Sequence, residues 1–257
     1  MLVHVLTLFP GLFDGFLRES IVRIAQEKGS LEVDLIDFRR FATDKHAMVD
    51  DRPFGGGPGM VLKPEPIFAA VEAVEAERGP MHRVMLTPTG RPLAQTDLER
   101  LARLPELLLL CGRYEGFDER VRLGISWEEI SIGDYVLSGG EVPAMALIDG
   151  VARLLPGVLG DEESAVRESF QDGLLDHPQF TRPREFRGME VPDVLLSGDH
   201  AKIEEWRRAE AERRTRDREQ ELSDPTSGSD GEGRKESAAP SAPNDETSTG
   251  PRGPTQR

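Results

Sequence analysis

Residues 131–141 have the composition of a loop that binds a small molecule. Their sequence, Ser-Ile-Gly-Asp-Tyr-Val-Leu-Ser-Gly-Gly-Glu, combines three glycines with aromatic and aliphatic side chains. Such a segment is too apolar for a solvated loop and too rich in glycine for the interior of a helix or strand. Glycines let a ligand approach the backbone, whose N–H and C=O groups can hydrogen-bond the edge of a flat heterocycle. The alternative interpretation is an ordinary strand-to-helix turn.

Two further glycine-bearing loops, residues 87–91 and 112–116, also follow apolar runs that are typical of strands. In parallel sheets, ligands bind beyond the carboxyl ends of the strands. Because all three loops are expected at such ends, we predict that they converge on one small-molecule site.

The elements that must position these loops alternate between strand and helix patterns. Short β-type runs are predicted at residues 2–8, 31–38, 82–86, 107–110 and 125–130, and helices at 12–28, 64–76, 94–102, 117–123 and 142–155. The run at 107–110 is four leucines without alternation, which predicts a strand buried on both faces. The order predicts an α/β fold with a mostly parallel sheet covered on both sides.

Composition narrows the class of protein. The chain has 257 residues and a net charge of -15, which disfavours non-specific binding to nucleic acid or membranes but allows a local basic site. Cys111 is the single cysteine, so an intrachain disulfide and a cysteine zinc site are excluded, and a small core residue is the expected role. No signal peptide and no run of membrane-spanning length is present, so we predict a cytoplasmic location.

The last third of the sequence differs from the rest. A short helical region is predicted at 173–222, and its final helix carries six arginines, namely Arg207, Arg208, Arg213, Arg214, Arg216 and Arg218. Interleaved glutamates fit a solvated helix with alternating charge, whereas the arginines alone would fit a face that contacts phosphates. Residues 223–257 contain no Leu, Ile, Val or aromatic residue and are predicted to be a disordered tail.

Several long motifs together closely resemble the bacterial tRNA (guanine-N1)-methyltransferase family of the SPOUT superfamily. They are Asp-Asp-Arg-Pro-Phe-Gly-Gly-Gly-Pro-Gly-Met at 50–60, Cys-Gly-Arg-Tyr-Glu-Gly at 111–116, the segment 131–141, Gly-Leu-Leu-Asp at 173–176 and Phe-Thr-Arg-Pro at 180–183. The resemblance extends to about Trp206; beyond it the family usually continues into further helices, whereas this chain turns into its polar tail.

The resemblance implies details of the fold and binding partners that the hydrophobic patterns and motifs alone do not indicate. It implies a trefoil-knotted α/β domain at 1–157, a connector at 158–172, a tRNA-binding helical domain at 173–222, and a homodimer whose active sites are completed by the partner chain. It implies S-adenosylmethionine as the cofactor, and methylation of the tRNA guanine immediately 3′ of the anticodon. The cofactor residues by motif match are Leu86, Thr87, Pro88, Thr89, Gly90, Gly112, Tyr114, Glu115, Gly116, Ser131, Ile132, Gly133, Asp134, Tyr135, Val136, Leu137, Gly139 and Gly140.

The expected reaction needs a base and a cation. Guanine N1 carries a proton at neutral pH, so methyl transfer requires a group that accepts this proton and a positive charge near O6. By resemblance the cation is Arg153, whose other interpretation is a charge complementing a helix C-terminus. The family usually has an aspartate before a Ser-Phe pair; here Glu168 stands there and is the expected base, with Asp172 as the alternative.

Loop residues His46, Asp50 and Arg52 match positions expected to hold the target guanine or its neighbour, although a structural ion pair in a long loop is an alternative. Glu115 is a candidate for contacting the methionine ammonium group or for binding Mg²⁺, since the family's methyl transfer is linked to a divalent ion. Two other functions stay open, namely a knotted enzyme acting on ribosomal RNA or a ribose hydroxyl, and a non-catalytic protein that binds RNA or cofactor.

Overall fold

The computed structural model describes residues 1–159 and 173–223. The two candidate bases, Glu168 and Asp172, and the tail from 224 onward lie outside the described residues.

The framework is a five-stranded sheet in which every neighbouring pair of strands is parallel. Its strands are β1 (Leu2–Thr7), β2 (Glu32–Asp37), β5 (His82–Pro92), β6 (Glu106–Cys111) and β7 (Glu128–Ser131), in the order β2-β1-β6-β5-β7. The short strands β3 (Asp50–Asp51) and β4 (Val61–Leu62) form a separate antiparallel hairpin. The predicted α/β class with a parallel sheet is confirmed.

Helices cover both faces of this sheet. They are α1 (Asp14–Leu17), α2 (Ser20–Glu27), α3 (Pro64–Arg78), α4 (Gln95–Leu101), α5 (Glu119–Gly124) and α6 (Glu141–Ala152). One core cluster joins α2, α4 and α6 to one face, and a second joins α3, α5 and Phe38 to the other. In β6, Leu107 and Leu109 belong to the first cluster and Leu108 and Leu110 to the second, so this strand is buried on both faces as predicted.

The predicted helix at 12–28 is wrong as one continuous element. The structure has a 3-10 turn at Pro10–Phe13, then α1, then α2, with extended backbone at Glu19 between the helices. The side-chain amide of Gln26 donates to the carbonyl oxygen of Leu17 at 2.7 Å. This bond satisfies a carbonyl that the break removes from the regular helical pattern.

Strand β5 is longer than predicted, because pairing resumes after the expected loop at 87–91. The register with β7 shifts between Leu86 and Arg91, after which Arg91 pairs with Ile130. A Cβ atom at Gly90 would lie 2.5 Å from the backbone nitrogen of Ile130. Only glycine therefore permits this close approach of the two backbones.

The second described segment contains a hairpin of β8 (Glu185–Phe186) and β9 (Met189–Glu190), followed by α7 (Asp193–Leu196) and α8 (His200–Ser223). Trp206 packs near His177 and Phe180, with ring centroids 6.4 and 6.3 Å apart. Ser223, predicted as the first tail residue, is helical. Within 1–159 and 173–223, no helix is both long and apolar enough to cross a membrane.

Three of the six arginines of α8 that were singled out from the sequence form ion pairs with acidic side chains of the same helix. Arg207 pairs with Glu204, Arg208 with Glu212, and Arg213 with both Glu210 and Asp217. These exposed pairs at helical spacing favour the solvated-helix interpretation. Contact of this face with phosphates stays a prediction.

Candidate active site

A cavity of about 410 Å³ opens at the ends of β6 and β7 and beside the register shift within β5. This volume lies within the range of small-molecule sites. Its lining includes sixteen of the predicted cofactor residues, namely Leu86, Thr87, Pro88, Thr89, Gly112, Tyr114, Glu115, Gly116, Ser131, Ile132, Gly133, Tyr135, Val136, Leu137, Gly139 and Gly140. The three glycine-bearing loops therefore meet, as predicted. Gly90 and Asp134 do not line the cavity; Gly90 instead packs against β7.

The loop at 131–140 lies directly on the end of β6. The backbone nitrogen of Gly140 donates to the carbonyl oxygen of Gly112 at 2.9 Å. A Cβ atom at Gly140 would lie 2.7 Å from the Cα of Cys111, so a side chain here would force two backbones apart. This contact brings two of the three loops to one wall of the cavity.

The same loop presents backbone donors and apolar side chains. Among the described residues, the amides of Ile132, Val136 and Leu137 have no hydrogen-bond partner. The side chains of Tyr135 and Val136 are exposed, although both are apolar enough to be buried in an ordinary core. Unpaired amides beside exposed apolar groups are suited to a flat, nitrogen-bearing ring such as adenine. The residues present therefore fit an S-adenosyl cofactor.

A buried network of charged and polar side chains supports these loops. The sequence did not predict this network. Glu141, in the first turn of α6, is only 1% exposed and accepts a hydrogen bond of 2.8 Å from the hydroxyl of Thr7. Its other carboxylate oxygen lies 2.9 Å from Nε of Arg113, which also lines the cavity. The Arg113 guanidinium lies 4.5 Å from the ring centroid of Phe9 and donates to the carbonyl of Ser138.

One feature of the sequence could have indicated this network. Glu141 follows two glycines at the predicted start of a helix, where a negative charge is favourable. Its partners could not be inferred, since Thr7 and Arg113 are distant in the chain. The network ties the ends of β1 and β6 to the start of α6.

Cys111 is fully buried beside this network. Burial, and to a smaller extent the Glu141 carboxylate, raises the pKa of its thiol well above the usual value. The thiol is therefore protonated at neutral pH and is not a nucleophile. The predicted role as a core residue is confirmed by its place in the hydrophobic cluster.

Arg153 does not line the cavity. It follows α6, and its backbone nitrogen donates to the carbonyl oxygen of Asp149 at 3.2 Å. Because Glu141 begins this helix of 12 residues beside the cavity, Arg153 lies about 18 Å farther along the helix axis, at 1.5 Å per residue. The cavity and the predicted cation of one chain are therefore separated by the length of α6.

His46, Asp50 and Arg52 do not line the cavity either. His46 belongs to a turn in which its backbone nitrogen donates to Asp44, whereas Asp50 belongs to β3 and pairs with Leu62 in β4. The hairpin of β3 and β4 nevertheless adjoins the cavity, since the nitrogen of Leu62 donates to the carbonyl of Gly116 at 2.9 Å. Among the described residues, Asp50 and Arg52 form no ion pair, so the structural alternative gains no support.

Glu115 lines the cavity, and its backbone nitrogen donates to the carbonyl of Met60 at 3.0 Å. Within the described parts of the chain, no group of three or more His, Cys, Asp or Glu side chains could hold a metal ion. Magnesium ions keep several waters and use one or two protein carboxylates. Mg²⁺ binding at Glu115 therefore stays a prediction.

Comparison with known proteins agrees with this geometry. The family model described as tRNA (Guanine-1)-methyltransferase TrmD matches residues 1–225. The tRNA (guanine-N(1)-)-methyltransferase of Geobacillus kaustophilus is 57% identical over 215 residues, which cover 84% of this chain and 88% of the relative. The enzyme of the same name from Moorella thermoacetica is 57% identical over 219 residues, covering 84% and 87%.

A solved structure supports the same relationship. The crystal structure of tRNA (m1G37) methyltransferase from Aquifex aeolicus superposes with a TM-score of 0.71 at 42% identity, covering 85% of this chain and 93% of the other. The parallel sheet, the glycine-lined cavity and these matches define the protein as a methyltransferase. More specifically, the chain belongs to the tRNA (guanine-1)-methyltransferase family.

Proposed function

We propose that this protein transfers a methyl group from S-adenosylmethionine to N1 of the guanine immediately 3′ of the anticodon in tRNA. The observation that carries the proposal is that residues of two motifs matching the family, 111–116 and 131–141, line one cavity. Residues from all three glycine-bearing loops line it, and the family match extends over residues 1–225. When bound, the cofactor supplies an electrophilic methyl group on a positively charged sulfur.

The residues of the cavity bind and orient the two reactants. The amides of the loop at 131–137 hydrogen-bond the adenine edge, and Tyr135, Val136 and Leu137 exclude water from its faces. The carboxylate of Glu115 balances the ammonium group of the cofactor, with Mg²⁺ as the second candidate ligand for this carboxylate. Exclusion of water strengthens each of these polar contacts.

The proton on guanine N1 goes to the carboxylate of Glu168, and the guanidinium of Arg153 stabilises the charge that develops on O6. Glutamate is one methylene longer than the usual aspartate, so its carboxylate must be held in a different side-chain conformation to reach N1. His46, Asp50 and Arg52 hold the target guanine or its neighbour at the hairpin beside the cavity.

We also propose a homodimer in which each cavity uses Arg153 of the partner subunit. This is supported by the separation between the cavity and Arg153 within one chain, which is about 18 Å along α6. A trefoil knot in the domain at 1–157 is proposed from the family. It is consistent with the close contact between Gly112 and Gly140, residues that leave β6 and enter α6. The tRNA-binding role of residues 173–222 and a cytoplasmic location remain predictions.

Methyl transfer from labelled S-adenosylmethionine tests the activity. One substrate is an unmodified tRNA with guanine 3′ of its anticodon, and the control is the same tRNA with adenine there. We expect 1-methylguanosine in the first tRNA only. Label on a ribose, or on ribosomal RNA alone, would indicate the other knotted enzymes, and cofactor binding without transfer would indicate a non-catalytic protein.

The base is tested separately by single-turnover kinetics. Glu168→Gln should slow methylation at least about a hundredfold, the usual contribution of a general base, while cofactor affinity stays unchanged. Glu163→Gln in the same connector is the matched control, and Asp172→Asn tests the alternative base. An undiminished rate in Glu168→Gln would reject Glu168, and a slow rate only in Asp172→Asn would transfer the role to Asp172.

A further inference from the structure

Phe54 is a large apolar side chain with almost no contact to the rest of the chain. It is 99% exposed, more than Val136 or Leu123 at 87% and 78%. An isolated exposed apolar residue is common and needs no explanation by itself. The position of Phe54 in the loop that joins β3 to β4 is what distinguishes it.

The backbone around Phe54 presents its ring outward at a defined turn. The nitrogen of Gly56 donates to the carbonyl oxygen of Pro53 at 3.2 Å, which closes a four-residue turn with Phe54 in its second position. Gly55 follows with a φ of +88°, the value that a type II turn requires at its third position. Proline before and glycine after Phe54 therefore hold the ring at the corner of the turn.

The base of this loop contacts residues that line the cavity. The carbonyl of Met60 accepts a hydrogen bond from the nitrogen of Glu115, and Leu62 bonds Gly116 and Asp118 through its nitrogen and carbonyl oxygen. A side chain at Gly59 would overlap the side chain of Glu115, which lines the cavity. Phe54 is thus carried on a hairpin that is fastened to the rim of the site.

A nucleobase is the ligand that this arrangement suits. Loop bases in RNA are recognised by stacking on aromatic side chains, and every base offers a flat face for such a contact. A guanine that enters the cavity must leave its stack, which exposes a face of the adjacent base. An aromatic ring on a hairpin that adjoins the cavity can replace the stacking partner that this base has lost.

We propose that Phe54 stacks on the nucleotide adjacent to the target guanine and holds the anticodon loop open while the guanine is in the cavity. This inference rests on the proposed function and adds to it a specific contact with tRNA. In this proposal Phe54 contacts the tRNA and not the cofactor. Loss of the Phe54 ring should therefore leave the affinity for S-adenosylmethionine unchanged.

Steady-state kinetics on the full chain test the proposal through four variants. Phe54→Ala should lower kcat/KM for tRNA by about 5- to 150-fold, the cost of losing one aromatic–base stack, with an unchanged Kd for S-adenosylmethionine. Phe54→Trp should restore activity, whereas Phe54→Leu should not, because leucine is apolar but has no ring face. Leu123→Ala, which removes another exposed apolar side chain, should behave as the unmodified protein.

Fluorescence identifies the stack itself, and does so whether or not methylation occurs. Anticodon stem-loops carry 2-aminopurine on one or the other side of the target guanine, and protein binding should quench one of them. The quenching should be absent in Phe54→Ala and present in Phe54→Trp. Equal quenching by Phe54→Ala, or equal kcat/KM for Phe54→Leu and the unmodified protein, would overturn the proposal.

The oligomeric state of Phe54→Ala and the binding of the stem-loop by the unmodified protein separate failure of the stacking role from failure of the proposed reaction. A changed oligomeric state in Phe54→Ala would assign the ring to a contact between subunits and overturn the stacking role. If the unmodified protein binds and quenches the stem-loop without methylating tRNA, the proposed reaction fails while the Phe54 contact stands. If it does not bind the stem-loop, both fail.

Discussion

The buried carboxylate of Glu141 provides a quantitative test of how the cavity is held together. Removing one partner of a buried ion pair costs about 3–5 kcal/mol, because the other charge is left without compensation. Arg113 is 17% exposed and keeps its contacts with Phe9 and Ser138. We therefore expect Glu141→Ala to lower the free energy of unfolding by about 2–3 kcal/mol, somewhat less than that range, because Arg113 is partly solvated and keeps other contacts.

Glu141→Gln is the more informative change, because the amide keeps the volume of the side chain and can still accept the hydrogen bond from Thr7. Only the charge opposite Arg113 is lost, so we expect a decrease of about 1–2 kcal/mol. At about 2–4 °C per kcal/mol for a chain of this size, the Tm should fall by about 2–8 °C. The assay is thermal unfolding at one fixed protein concentration, since the proposed dimerisation would make the Tm depend on concentration.

Glu27→Gln is the matched control, because Glu27 pairs with Arg23 at 2.6 Å on the exposed surface of α2. Such pairs contribute about 1 kcal/mol or less. A double-mutant cycle with Arg113→Gln isolates the interaction. An unchanged Tm in Glu141→Gln, or a coupling energy near zero in the cycle, would refute the reasoning that this ion pair holds the loops in place.

Two further predictions concern acid stability and the cavity wall. Hydrogen bonds from Arg91 lower the pKa of Asp97 from 3.8 to about 2. Because the pKa of Asp97 is lower in the folded state than in the unfolded state, the ionised carboxylate stabilises the folded protein above about pH 4. This stabilisation is lost as the pH falls toward 2. It amounts to about 1 kcal/mol after allowance for the half-exposed Arg91. Urea unfolding at several pH values should show a steeper acid loss in the unmodified protein than in Asp97→Asn, and parallel curves would contradict this. Gly140→Ala should weaken S-adenosylmethionine binding more than tenfold in calorimetry, because its Cβ would lie 2.7 Å from the Cα of Cys111. Gly15→Ala, whose Cβ would meet no atom within 4 Å beyond its own stretch of chain, should bind normally, and equal affinity in both variants would be the contrary result.

The predictable part of the structure rests on local patterns. The leucines of β6 predicted a strand buried on both faces, and glycine-bearing loops after apolar strands predicted a common cavity. Helix α3 was also expected within two residues of its observed end at Arg78. These features follow from hydrophobic pattern and backbone freedom, which neighbouring residues determine.

The parts that failed depend on contacts between distant residues. The break before α2 is stabilised by a bond from Gln26 to Leu17 that no periodicity indicates. The continuation of β5 through Arg91 depends on pairing with β7, and the role of Glu141 depends on Thr7 and Arg113. The predicted roles of His46, Asp50 and Arg52 in holding tRNA are not among these failures and stay predictions; Asp50 belongs to a hairpin whose partner strand lies ten residues further along the chain.

The strand order has a consequence for how the chain acquires its fold during synthesis. Strand β1 lies between β2 and β6, so one of its edges stays unpaired until β6, which begins at Glu106, has been made. At about 5–20 residues per second, the ribosome needs roughly 5–20 s to add the intervening hundred residues. During that interval an apolar strand edge at the N-terminus is open to pairing with other chains. The nascent protein is thus most prone to aggregation before β6 emerges, and a chaperone that binds extended apolar segments would act in that interval.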